Sequence, residues 1–141
     1  MKIVSFSLLL LLALFSSCDN CSDKACFSPP PPFGYELIDS ETKENLLSNG
    51  TYQESRISIT DLEGKAITPI IRESIIEVTS WAEGQDELTF KYDNVEIFKV
   101  QLELERVNED CCSFVRIRNH EISGATSELS DSNNVHMVLI E

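Results

Sequence analysis

From Phe98 to Glu105 the chain reads FKVQLELE. Phe98, Val100, Leu102 and Leu104 point one way. Lys99, Gln101, Glu103 and Glu105 point the other. A period of two held over eight residues is the mark of a β-strand with one face in a core and one in water.

The remaining segments agree with that reading. Phe33, Tyr35 and Leu37 alternate with Gly34, Glu36 and Ile38. Ser48-Asn49-Gly50 is a turn, since Asn and Gly tolerate positive φ. Arg56 to Thr60 alternates, and Asp61-Leu62-Glu63-Gly64 forms a hairpin turn into a strand from Lys65 to Ile71. Ile75 to Trp81 is β-rich and ends at Ala82 to Asp86, after which Leu88, Phe90 and Tyr92 share a face. Asp93-Asn94 precedes the longest strand, and Ser113 to Arg118 and Val135 to Ile140 close the set. Only Ser40 to Leu47 suits a helical turn, and Glu121 to Asp131 reads as irregular. Short strands at regular intervals without a long amphipathic helix predict an all-β fold. The expected form is one antiparallel β-sandwich over residues 33–141, immunoglobulin-like or transthyretin-like, with a small β-barrel as the alternative.

The first residues carry a different signal. Met1-Lys2 is followed by an apolar run from Ile3 to Phe15, broken only by Ser5 and Ser7. It is too short to span a bilayer, which takes about 20 apolar residues, and it fits the core of a secretory signal. The run ends in Leu14-Phe15-Ser16-Ser17-Cys18, which resembles the bacterial lipobox, with Phe15 where that family usually has Leu. The resemblance implies cleavage after Ser17 and acylation of Cys18, tethering the rest to a membrane. Each buried methylene of such a lipid contributes about 0.8 kcal/mol. Residues 18–32 then form a Cys/Pro-rich tether whose Pro29 to Pro32 run spans roughly 12 Å as polyproline II.

Without residues 1–17 the chain keeps 124 of its 141 residues, and loss of Lys2 takes the net charge from −13 to −14. Nucleic-acid affinity comes from Lys and Arg neutralising phosphates, so a surface this acidic argues against such a partner. Five cysteines become four once Cys18 is lipidated: Cys21, Cys26, Cys111 and Cys112. An even number in an exported chain suggests disulfides. Adjacent Cys111-Cys112 sits at an expected turn, so Cys26 is expected to bond one of the pair, with Cys21 free to take the other. Zinc could use four thiolates, but these spacings are not those of a zinc motif, and no metal or other cofactor is expected.

The stretches Cys26-Phe27-Ser28-Pro29-Pro30, Tyr35-Glu36-Leu37-Ile38-Asp39, Glu44-Asn45-Leu46, Asn49-Gly50-Thr51-Tyr52 and Cys111-Cys112-Ser113-Phe114 resemble small uncharacterised Bacteroidetes-type envelope lipoproteins over most of the mature chain. The resemblance implies an envelope lipoprotein with a β-rich domain, at the outer membrane and facing the periplasm or the cell surface. It carries no catalytic motif.

The residues themselves point away from catalysis. A hydrolase triad needs a histidine with a nucleophile and an orienting acid. His120 falls in an expected exposed loop, and His136 in the last strand as a sheet residue. Glu103 and Glu105 share a strand face with Lys99 and Gln101, which reads as a solvated face. Glu109-Asp110 and Asp131 to Asn134 are acidic turns without calcium-loop spacing. Trp81, Phe33 and Tyr35 could offer a sugar-stacking surface, although sheet packing explains them better. The expectation is a non-enzymatic binding or structural module with an envelope protein or glycan partner. A carbohydrate- or calcium-binding surface module is the alternative, and a small hydrolase whose acids the fold assembles comes third.

Overall fold

The computed structural model describes residue 26 and residues 33–79, 84–109, 111–130 and 135–141. The strands are β1 (Phe33–Asp39), β2 (Ile57–Thr60), β3 (Ala66–Ile67), β4 (Ile70–Arg72), β5 (Ile75–Val78), β6 (Gly84–Tyr92), β7 (Val95–Glu109), β8 (Cys112–Ser123), β9 (Thr126–Leu129) and β10 (Val135–Ile140). They form two five-stranded sheets, in the orders β4-β5-β1-β10-β9 and β3-β2-β6-β7-β8. No barrel closes: β8 and β9 follow one another in the chain yet belong to different sheets. The fold is thus the expected β-sandwich.

Its pairing is antiparallel except between β1 and β10, which run parallel from Gly34↔Val135 to Asp39↔Ile140. Parallel neighbours cannot be joined by a tight hairpin, and these are the first and last strands. In the immunoglobulin order the first two strands pair, whereas here β1 and β2 lie in different sheets.

Pairs of polar residues with positive φ make two of the reversals. Asp93 and Asn94 both have positive φ, 50° and 65°, and join β6 to β7. Glu73 and Ser74 do the same between β4 and β5, at 50° and 66°. Two successive residues in that region give a turn whose twist matches the flanking strands.

Three local expectations are corrected. The strand expected from Lys65 to Ile71 is two strands in different sheets, β3 and β4. Pro69 stands between them, and proline cannot donate to a ladder. The segment Glu121 to Asp131 is not irregular, because β8 continues to Ser123 and β9 follows. Ser40 to Leu47 forms turns rather than a helical one. There the Asp39 carboxylate accepts from the Glu41 and Thr42 amides at 2.9 and 2.7 Å. The Asn45 side-chain oxygen accepts from Leu47 and Ser48 at 3.0 and 3.1 Å. Such bonds give the backbone an alternative to a helix.

The core lies between the sheets. Phe98, Val100, Leu102 and Leu104 are all buried, facing Tyr35, Leu37, Ile76 and Val138 of the other sheet. Phe90 stacks on Phe98 with ring centres 4.3 Å apart, and Tyr35 meets Phe90 edge-on at 4.9 Å. On the opposite face of β7, Gln101 is exposed and Lys99, Glu103 and Glu105 are half-buried. Their charges are matched across strands: Lys99 with Glu87 at 3.1 Å, Glu105 with Arg116 at 2.7 Å, and Glu103 with Arg118 at 3.6 Å.

Candidate functional site

Three places in the sandwich are candidates for a functional site. The first is the tip of the β7–β8 hairpin. Cys111 occupies the left-handed region at φ 74° and turns the chain from Glu109 into Cys112. Cys112 forms a disulfide with Cys26, with Cα atoms 5.4 Å apart, as expected for one member of the pair. Cys111 is disulfide-bonded as well. Cys18 and Cys21 lie outside the described residues, as do Trp81, Asp110 and Asp131 to Asn134.

The second place is the seam where β8 faces the other sheet. Here the structure corrects the expectation for His120, which is not in a loop. It lies within β8, half-buried, with its Nε2 3.0 Å from the Tyr35 hydroxyl. Its ring stacks on that of His136 with centres 4.0 Å apart and planes 11° from parallel. Phe33 and Tyr35 each lie 5.9 Å from it. Burial, helped by the neighbouring imidazole, lowers the His120 pKa to about 4. Burial also lowers that of His136 and raises that of Tyr35. Both rings are therefore neutral at pH 7. A hydrolytic triad pairs its imidazole with a nucleophile and an acid. This imidazole meets a phenol and a second imidazole instead. Phe33 and Tyr35 are buried at 2% and 0% exposure, so neither offers a surface for stacking a sugar.

Sequence reading missed this cluster for an identifiable reason. The β7–β8 register shifts between Glu103 and Leu104: Leu104 faces Ile117, but Glu103 faces Asn119. Arg118 is the extra residue of a β-bulge. A one-residue shift exchanges the two faces of a strand. Counting inward from Val115 and Ile117 would send His120 outward, whereas after the bulge His120 and Ile122 face in.

The third place is the opposite pole. A groove of about 540 Å³ runs between the ends of β1 and β10 and the start of β7, lined by Ser40, Tyr52, Glu96, Gly124, Thr126 and Glu141 among others. Tyr52 stacks on Tyr92 at 4.0 Å, and Arg56 sits over the outer ring at 5.0 Å while pairing with Asp93. Ile97 lines this groove and Glu109 ends at the hairpin tip. At about 3.3 Å per residue the two poles lie roughly 40 Å apart along β7.

No protein-family model, no curated protein and no solved structure matches the chain.

Proposed function

We propose that this chain is a lipid-anchored bacterial envelope protein, acylated at Cys18, whose sandwich is a non-enzymatic binding or structural module. The observation that carries the reading is the Cys26–Cys112 disulfide. It ties the segment that follows the proposed lipid to the far end of the longest hairpin. Disulfides persist in exported proteins and are rare in reducing compartments. A tether stapled at one pole gives the domain a set orientation over the membrane. The groove pole then faces away from the lipid, where an envelope protein or glycan can reach it. The acidic surface, with 24 acidic against 11 basic residues, suits solubility beside an anionic membrane and not nucleic acid. We place the protein at the outer membrane, facing the periplasm or the cell surface.

The test is fatty-acid labelling with membrane fractionation. The wild-type chain takes up label and sediments with outer membranes. The Cys18→Ala variant loses both properties. Labelling that persists in the variant would overturn the assignment of Cys18.

A carbohydrate-binding surface module is the second reading. The groove favours it, since a half-buried tyrosine, Tyr52, lines it together with Glu96 and Glu141. Glycan-array binding that Tyr52→Ala abolishes supports it, and binding unaffected by that substitution rejects it.

A further inference from the structure

The His120–His136 stack has no part in the anchoring function, yet it joins the two sheets. Among the described residues β8 is the edge strand of its sheet and pairs with β7. His120 reaches inward from β8 to His136 of β10 and to Tyr35 and Phe33 of β1. We infer that this stack is an acid-sensitive latch, which holds β8 against the opposite sheet while both imidazoles are neutral and releases it when one takes a proton.

The surroundings of the rings are apolar or uncharged. On β1 the neighbours are Tyr35 and Phe33, both buried. On β7 the paired position is Leu102, and on β9 the residue opposite His136 is Leu129. Asp39 of β1 and Arg106 of β7 alternate on the same faces as Tyr35 and Leu102 but lie roughly 13 Å further along each strand, where the Asp39 carboxylate accepts from the Glu41 and Thr42 amides and Arg106 donates to Ser113. Glu36 and Glu128 both pair with Met137, one position along from the row of Tyr35, His136 and Leu129. Successive residues of a strand face opposite ways, so these carboxylates point out of the seam. On the other sheet Glu103 pairs with Arg118 and Glu105 with Arg116, on the solvent face. Among the described residues, a proton taken up in the seam thus meets tyrosine, phenylalanine, leucine and a second imidazole, and no carboxylate beside them to balance it.

The hydrogen bond opposes protonation as well. With its proton on Nδ1, a neutral His120 accepts at Nε2 from the Tyr35 hydroxyl, 3.0 Å away. A proton from solvent on Nε2 turns the ring into a donor at that atom. The phenol must then accept, and its own proton loses its acceptor inside a buried site. An unpaired buried donor is costly, and parting the strands relieves both problems by admitting water. The downward shift of the His120 pKa agrees with this geometry.

The test follows the full chain in detergent from pH 8 to pH 3.5. Histidine NMR shifts report proton uptake, and near-ultraviolet circular dichroism of tyrosine together with an apolar dye reports opening. We expect His120 to bind its proton at least tenfold more weakly than free histidine. The tyrosine signal falls and dye binding rises in the same step. A His120→Phe variant keeps a stacked ring without a proton site, and its seam stays closed through that pH range. His136→Phe serves if that variant does not fold. The inference is overturned by both histidines titrating near pH 6.5 with the seam unchanged, or by the same acid transition in a folded Phe variant. Proton uptake by His120 without a change in tyrosine signal or dye binding also overturns it.

Discussion

Opening the Cys26–Cys112 bond should weaken the fold through the unfolded chain. The two residues are 86 apart in sequence. The loop-closure relation gives about 4.6 kcal/mol for a cross-link of that span at 25 °C. That figure is an upper value here, because release also frees the tether from the hairpin tip in the folded state. Cys111, next in the chain, is disulfide-bonded too. If its partner is Cys21, as the sequence leads one to expect, that bond keeps a long loop closed when its neighbour is removed. The double variant Cys26→Ser/Cys112→Ser should therefore lose only about 2 kcal/mol, the low end for a native disulfide. Full reduction should approach the larger value and leave the sandwich marginal, since domains of this size have about 5–15 kcal/mol in all. Urea unfolding followed by far-ultraviolet circular dichroism, with and without reductant, separates the two. Full reduction that costs under about 1 kcal/mol would refute loop closure as the source. A double variant as weak as the fully reduced protein would show that the Cys111 bond closes no such loop.

Other perturbations have distinct signatures. Gly34→Ala puts a methyl 2.9 Å from Val135 Cγ2 and 3.1 Å from Ile75 Cγ2. It should cost about 1–3 kcal/mol by overpacking, and Val135→Ala in the same chain should restore part of that in urea titrations. Phe98→Ala removes a fully buried ring stacked on Phe90 and should cost about 3–5 kcal/mol by the same measurement. Arg56→Ala breaks an exposed ion pair with Asp93 and should cost less than about 1 kcal/mol, shrinking further in high salt. Stability should also fall with acid. The folded His120 pKa, about 4, lies below the unfolded value near 6.5, so the unfolded state binds more protons between them. Its contribution is complete above pH 6.5 and is lost as the pH falls toward 4. After allowance for residual solvent access this is about 2 kcal/mol, read as the wild-type loss minus that of His120→Phe.

How much of this was legible in the sequence varies by element. β7 could be read directly because its alternation is strict and one face packs on the core while the other carries matched charges. The β2–β3 hairpin was legible from Asp61 to Gly64, whose Asp61 carboxylate accepts from the Glu63 and Lys65 amides. The staple was legible as a choice between two cysteines, and the turn at Cys111 decides it by sending Cys112 into the strand. The crossing at Pro69 was not legible, because a two-residue strand such as β3 has no period to detect. Neither was the parallel β1–β10 pair, since nothing local records that the two ends of a chain meet. The seam at His120 was hidden by the bulge at Arg118, whose presence depends on the partner strand and not on its own sequence.

A lipidated tether stapled to the sandwich can be tested in both its halves by one measurement. Protein extracted from its own membranes is digested without reductant and its peptides are weighed. The expected result is a chain beginning at an acylated Cys18, with the peptide containing Cys26 linked to the peptide containing Cys112. An unacylated amino terminus, or a Cys26 peptide recovered with a free thiol, would contradict it.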